Sequence, residues 1–242
     1  MKVSNYEDKE FVKEYDKKPI GQPYILYPGI IKALGNLSGK KLLDLGCGSG
    51  ELSRQLANCG AQVTGIDTSA EWIKTAKEKA GENKNLEFIQ MNGAEMSQFE
   101  NESFDAVVMN MVLINVGEHE TFENIFMETS RVLKKDGTLV FSEIHPACFV
   151  EKQEATERQN HTEDFSYFEN GQEFESVVTL TDGSTIKFND IHWTLEAYTR
   201  ILEKAGLFIH RLIEPMPIES APKILKNMKV PEYLLLKIKK HS

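Results

Sequence analysis

Residues 41–53 read KLLDLGCGSGELS, and the spacing of their polar and small residues could support chemistry. Asp44 stands directly before a turn built on Gly46, Gly48 and Gly50, with Cys47 inside it. Glycine at alternate positions permits a tight turn and lets a ligand approach the backbone closely. A helix opening at about Gly50 would offer free N–H groups to an anion such as a carboxylate. Asp44 would repel phosphate but could hold an ammonium, directly or through water. A dinucleotide fingerprint needs its third glycine at position 51, where Glu51 stands, and the G-K-[ST] ending of a phosphate-binding loop is missing. The pattern suits a zwitterionic amino-acid moiety.

A second acid, Asp67, ends the run VTGID. A carboxylate there accepts two hydrogen bonds from a ribose diol and rejects a 2′-phosphate. Amino acid plus ribose points to S-adenosylmethionine.

The elements that must position these residues follow from hydrophobic patterning. KLLDL (41–45), AQVTGI (61–66), NLEFI (85–89), FDAVVMN (104–110) and GTLVFSEI (137–144) are short apolar runs suited to strands buried on both faces. Between them, Trp72, Ile73, Ala76 and Ala80 recur at helical spacing after a capping box at Thr68 and Glu71, and Phe122, Ile125, Phe126, Thr129 and Leu133 form a second helical face. Alternation of this kind predicts an α/β fold, with a doubly wound, mostly parallel seven-stranded sheet covered by helices on both sides. The cofactor-binding core is expected over residues 37–146. Residues 1–36 precede it and are expected to form a helical lid, with Tyr6, Phe11, Tyr15, Tyr24, Ile25 and Tyr27 supplying apolar surface. Residues 147–192 break the alternation. Between 151 and 175 they carry eight Asp/Glu against two Lys/Arg, and Asp182-Gly183 between β-rich runs signals a hairpin. Residues 193–242 return to the core pattern with a helix at 194–206 and strands at 207–213 and 233–240; the lysines from 223 onward read as a solvated face.

LLDLGCGSG followed by VTGID resembles the first two motifs of the class I S-adenosylmethionine-dependent methyltransferases, and the strand order is similar to theirs over residues 40–145. The resemblance implies that Asp44, Gly46, Cys47, Gly48 and Gly50 meet the amino-acid end of the cofactor and that Asp67 and Thr68 meet its ribose. That family places an acid after the third strand to meet the adenine amino group. Here FIQMNGAEM has Asn92, then Gly93, and the amide oxygen of Asn92 can accept the same bond, although a local capping role also suits it. Asn110 and Met111, ending the fourth strand, fall at the sulfonium end. Tyr24 and Tyr27 read as core aromatics or, by resemblance, as a cover for the methionine end, a place assigned to Tyr24.

RVLKKDGTLVFSEIHP is similar to the branch that methylates small molecules, whereas the [ND]-P-P-[YF] signature of nucleic-acid amine methyltransferases is absent at 110–113. The implied reaction moves a methyl group from S-adenosylmethionine to a small-molecule O, N, S or C nucleophile and leaves S-adenosylhomocysteine. No carboxylate set stands near Asn110, so a metal-free site is expected. His145, in SEIHP at the carboxyl end of the fifth strand, is the candidate general base; it could equally orient substrate or bond a backbone carbonyl. His192 reads as a supporting residue, and Phe149, Phe165, Tyr167 and Phe168 either line a substrate cavity or pack the appended lobe.

Other readings keep a place. A protein or RNA acceptor would need an exposed groove, and the acid-rich 151–175 stretch could then select a basic partner. A nicotinamide oxidoreductase lacks its third glycine. A non-catalytic binding protein would keep Asp44 and Asp67 without a channel for substrate. The formal charge of −9 and pI near 5.3 argue against general affinity for nucleic acid. Cys47, Cys59 and Cys148 are too few and too scattered for a disulfide framework or zinc site, no apolar run is long enough to cross a membrane, and no secretory leader opens the chain. A cytoplasmic protein is expected; the oligomeric state and the acceptor stay open.

Overall fold

The computed structural model describes residues 9–17, 19–149, 158–160 and 165–240. Tyr6 and much of the acid-rich stretch lie outside the described residues, as do the side chains of Phe11 and Phe149. The chain opens with α1 (Lys9–Tyr15), a π-turn (Gln22–Leu26) and α2 (Tyr27–Leu34). Strand and helix then alternate through β1 (Lys41–Leu45), α3 (Glu51–Asn58), β2 (Gln62–Asp67), α4 (Ala70–Ala80), β3 (Leu86–Gln90), β4 (Phe104–Asn110), α5 (His119–Val132) and β5 (Leu133–Ile144). An appended lobe holds β6 (Arg158–Asn160), β7 (Gln172–Thr179) and β8 (Thr185–His192). The chain closes with α6 (Leu195–Lys204), β9 (Leu207–Ile213), the short α7 (Lys223–Lys226) and β10 (Tyr233–Lys240).

Seven strands form one sheet in the order β3-β2-β1-β4-β5-β10-β9, and only β10 runs against the others. This is the doubly wound fold the alternation predicts. Leu42 and Leu43 of β1 are fully buried, because β1 has a strand on either side and helices on both faces. The strand order reverses between β1 and β4. Carboxyl ends of parallel strands diverge at such a point and leave a crevice for a ligand.

Three details differ from the sequence reading. The cap of α4 is Ser69 rather than Thr68: its hydroxyl accepts from Trp72 N at 3.3 Å, so the helix starts one residue later. Strand β5 begins at Leu133 instead of 137, because Leu133 pairs with Phe104 ahead of an irregularity in the ladder. The last lysines are not simply solvated: Lys237 donates to Ala33 O at 2.7 Å, Lys239 to Asp136 O at 2.9 Å and Lys240 to Leu133 O at 2.9 Å. Long aliphatic stems let these ammonium groups reach carbonyls at the ends of other elements.

The lobe is a three-stranded antiparallel sheet, β6-β7-β8, with the expected turn at Asp182-Gly183 and Gly183 left-handed at φ 85°. Val178, Leu180, Ile186 and Phe188 form its small core, closed by Tyr15 of α1. The hairpin tip is stitched to the segment after α1: Ile20 N donates to Thr179 O at 3.0 Å, Pro19 bridges Leu180, and Lys17 lies 3.0 Å from Asp182. At its base, Trp193 stacks on Phe122 (ring centroids 4.1 Å apart, planes 11° apart) and donates Nε1–H to Val116 O at 2.8 Å. No helix among the described residues is long and apolar enough to cross a membrane.

Candidate functional site

The glycine turn after β1 is anchored to the end of β2. Gly46 N and Cys47 N both donate to Ile66 O, at 2.8 and 3.0 Å, and Gly48 N donates to Asp67 Oδ2 at 2.9 Å. The other Asp67 oxygen accepts from Ser69 N at 3.0 Å, so this carboxylate ties the turn to the start of α4. Gly46 and Gly50 are left-handed at φ 72° and 70°, and packing excludes a side chain at either. A Cβ on Gly46 would lie 2.6 Å from Val112 Cγ2; one on Gly50 would lie 2.6 Å from Phe88 Cζ and 3.2 Å from Ala76 Cβ. Gly50 does not line the cavity. It lets α3 begin against β3 and α4, a structural role that corrects its expected contact with ligand.

Asp44 is 1% exposed and accepts a 2.5 Å hydrogen bond from Ser53 Oγ, one turn into α3. Burial pushes its carboxyl up from 3.8 to about 7, with the charge of Asp67 adding to the rise and the bond from Ser53 opposing it. Burial, reinforced by Asp44 and Asp67, also holds the Cys47 thiol well above its usual range, so it is a neutral packed group on the cavity wall and no nucleophile.

These residues border a cavity of about 430 Å³ that also reaches Thr68, Asn92, Gly93, Asn110 and Met111, a volume within the usual range of ligand sites. Asn92 lines the cavity, and its Oδ1 accepts from Ala94 N at 2.9 Å, the local capping role. Gly93 is pressed against Leu45, whose Cδ1 would sit 2.9 Å from an added Cβ. Beyond β4, Asn110 Oδ1 accepts from Ser142 Oγ at 2.9 Å, and that hydroxyl accepts from Met111 N at 3.1 Å. Met111 is held left-handed at φ 57°, a costly conformation for a side chain with a Cβ and one that clusters at functional turns.

The N-terminal wall differs from expectation. Tyr24 does not line the cavity; it packs against the apolar cluster containing Ile25, Ile30 and Tyr233, and its carbonyl accepts from Ile218 N at 3.0 Å. The π-turn before α2 is wound wider than an α-helix, and Tyr27, three residues on, takes the inward place. Its Oη donates to Gln22 Oε1 at 2.7 Å, while Gln22 Nε2 donates to Tyr15 Oη at 3.2 Å, and all three line the cavity. Tyr15 meets Trp72 of α4 and Phe188 of β8 edge-on at 5.8 and 5.4 Å. Nothing in the sequence marked Gln22, whose role depends on the turn.

His145 also departs from its assignment. It does not line the cavity. The antiparallel β10 runs beside the end of β5, where His145 N donates to Glu232 O at 2.9 Å. Its Nδ1 accepts from Ala147 N at 3.0 Å and its Nε2 lies 3.2 Å from Glu214 Oε1. Burial lowers its pKa, partly offset by Glu214. The ring locks the exit of β5 to the segment after β9. His192 supports the lobe, with Nε2 2.9 Å from Tyr167 O, and Phe165 packs edge-on against Phe174 and His192, so these aromatics build the lobe.

Fold and site together define a Rossmann-like α/β protein with a glycine turn, two acids and a cavity at the switch point of the sheet. Residues 43–141 match the family described as a methyltransferase domain. The chain is 30% identical over 215 residues to YqeM of Bacillus subtilis, a protein named as a methyltransferase, covering 84% of this chain and 87% of that one. A shorter stretch of 48 residues is 52% identical to the ubiquinone biosynthesis O-methyltransferase of Bordetella pertussis, covering 20% of each. The fold matches a Listeria monocytogenes protein assigned to the S-adenosylmethionine-dependent methyltransferases, with a TM-score of 0.66 and 24% identity over 89% of this chain and 96% of that one. The chain belongs to the methyltransferases, with the Rossmann-like seven-stranded fold of class I. The wall fits S-adenosylmethionine, the group the glycine turn and its two acids led us to expect: that molecule carries two positive centres and one carboxylate, and the cavity presents the carboxylates of Asp44, Glu51, Asp67 and Glu118 beside the first N–H groups of α3.

Proposed function

We propose that this methyltransferase acts on a small molecule received under the N-terminal segment and the β6–β8 lobe, with the described parts of residues 1–36 and 147–192 forming the closure over the 37–146 core. When bound, S-adenosylmethionine would supply an electrophilic methyl group on positively charged sulfur. The chain's own residues align and exclude water, which is most of the work when the leaving group is already good. Asp44 and the N–H groups opening α3 hold the amino-acid end, Asp67 holds the ribose, and Asn92 with Gly93 borders the adenine. Asn110 and the left-handed Met111, braced through Ser142, define the end where the methyl group is presented. Tyr15, Gln22 and Tyr27 close over it.

The observation that carries the small-molecule reading is the cavity wall itself: Tyr15, Gln22 and Tyr27 border the cavity from the N-terminal segment, and Tyr15 packs on the lobe through Phe188. The short match to an enzyme named for ubiquinone O-methylation is consistent with it. Calorimetric titration with S-adenosylmethionine, S-adenosylhomocysteine and NAD tests the assignment of residues. Both sulfur nucleosides should bind and NAD should not, and Asp67→Ala should weaken binding by at least about tenfold, as expected for loss of a charged hydrogen-bond acceptor. Unchanged affinity in Asp67→Ala would remove Asp67 from the site.

A further inference from the structure

The part of the cavity wall left over once the cofactor is assigned has a consistent chemical character. Tyr27, Gln22 and Tyr15 form a directed chain in which the Gln22 amide is held at both ends, so its dipole is fixed. Gln22 and Tyr27 are buried, at 6% and 3% exposure. Asn115 and Glu118, from the segment between β4 and α5, add an amide and a carboxylate. Asn115 Nδ2 donates to Met111 O at 3.4 Å, and Glu118 Oε2 accepts from Thr121 Oγ1 at 3.2 Å, so both are placed by local bonds.

Among the described residues that line the cavity there is no lysine, arginine or histidine. The guanidinium of Arg54 in α3 is engaged elsewhere: it donates to Ser49 O at 2.9 Å and pairs with Glu51, and it does not line the cavity. An anionic acceptor would meet the half-buried carboxylate of Asp67 and the exposed one of Glu118 with no lysine, arginine or histidine among the described lining residues to offset them, an arrangement that is disfavoured. A neutral molecule meets hydrogen-bond donors and acceptors, and a cationic one meets carboxylates.

Resting on the methyltransferase reading above, we propose that the acceptor carries no anionic group: it is a neutral or positively charged molecule, oriented by the Tyr15–Gln22–Tyr27 chain and by Glu118, and carboxylated or phosphorylated molecules are rejected. The wall thus selects by charge before it selects by shape. Specificity of this kind comes as much from repelling the wrong partner as from attracting the right one.

The test uses the full chain saturated with S-adenosylhomocysteine, whose own binding is measured first by calorimetry. Matched sets of small phenols, aliphatic alcohols and thiols, each made as the amine, the neutral alcohol and the carboxylate, are then titrated by ligand-observed NMR. Tyramine, tyrosol and 4-hydroxyphenylacetate form one such set. Neutral and cationic members should bind at least about tenfold more tightly than their carboxylate partner. Glu118→Gln, which keeps the shape and removes the charge, should narrow that gap about threefold, and added salt should narrow it in the wild type. Carboxylates that bind as well as their partners, or sets in which no member binds, overturn the proposal while leaving the cofactor site standing. Failure of S-adenosylhomocysteine to bind would instead overturn the residue assignment on which it rests.

Discussion

Asp44 couples stability, pH and cofactor binding, and the size of each effect follows from its burial. In the unfolded chain its carboxyl has an ordinary value near 3.8; in the fold, burial raises it to about 7. Ionising it inside the free protein therefore opposes folding by about 4 kcal/mol once the pH is well above 7. The sign is fixed by the raised value. Below about pH 3 the group is protonated in both states and destabilises nothing; as pH rises, the unfolded chain loses its proton first and stability declines until the folded carboxyl also ionises near pH 7. Asp44→Asn keeps an acceptor for Ser53 Oγ but carries no charge, so thermal unfolding should show it equal to the wild type near pH 3 and more stable by up to about 4 kcal/mol at pH 8. Function should move the other way. Only the ionised carboxylate attracts an ammonium, so wild-type affinity for S-adenosylhomocysteine should rise about tenfold from pH 6 to pH 8, while Asp44→Asn binds weakly at both. Calorimetry at pH 7 in buffers of different ionisation heat should register release of about half a proton per molecule bound. A melting difference between the two proteins that is constant from pH 4 to pH 8, together with an affinity indifferent to pH, would refute the argument.

Gly50→Ala should destabilise the protein by about 2–4 kcal/mol, from the left-handed backbone and the 2.6 Å approach to Phe88. Part of that loss should return in the double variant with Phe88→Leu, read by denaturant unfolding. Trp193→Phe retains an aromatic ring against Phe122 but deletes the 2.8 Å bond to Val116 O; a loss of about 1–2 kcal/mol in stability is expected, with binding of S-adenosylhomocysteine changed less than threefold. Larger loss of cofactor affinity would mean that the lobe supports the nucleoside half of the cavity as well.

Much of the core was legible because it obeys rules local to the chain. Strands buried on both faces announce themselves as uninterrupted apolar runs, and β9 and β10 begin and end at the residues expected of them. Asp44, Gly46 and Gly48 came together as anticipated because a strand-to-helix turn places its residues by covalent geometry, and Asp67 joins them because β2 pairs alongside β1. Side chains whose direction depends on a neighbour from elsewhere were harder to read. Tyr24 and Tyr27 are indistinguishable as sequence, and the π-turn decides which faces inward. His145 lies at the correct end of the correct strand, but β10 runs beside it and Glu214 lies close to its ring. Gln22 carries no signal, since its place on the wall is set by two tyrosines, five residues after it and seven before it.

The lobe sheet touches two opposite borders of the cavity: its tip is sewn to the segment carrying Tyr15 and Gln22, and its base grips the loop of Val116 and Gly117 through Trp193. The family match ends at residue 141, before this sheet begins. The glycine turn and the two acids thus lie on one stretch of the chain, and the sheet that borders the other sides of the cavity lies on another. Lengthening the hairpin or reshaping its base would move two sides of the opening together while leaving Asp44 and Asp67 in place.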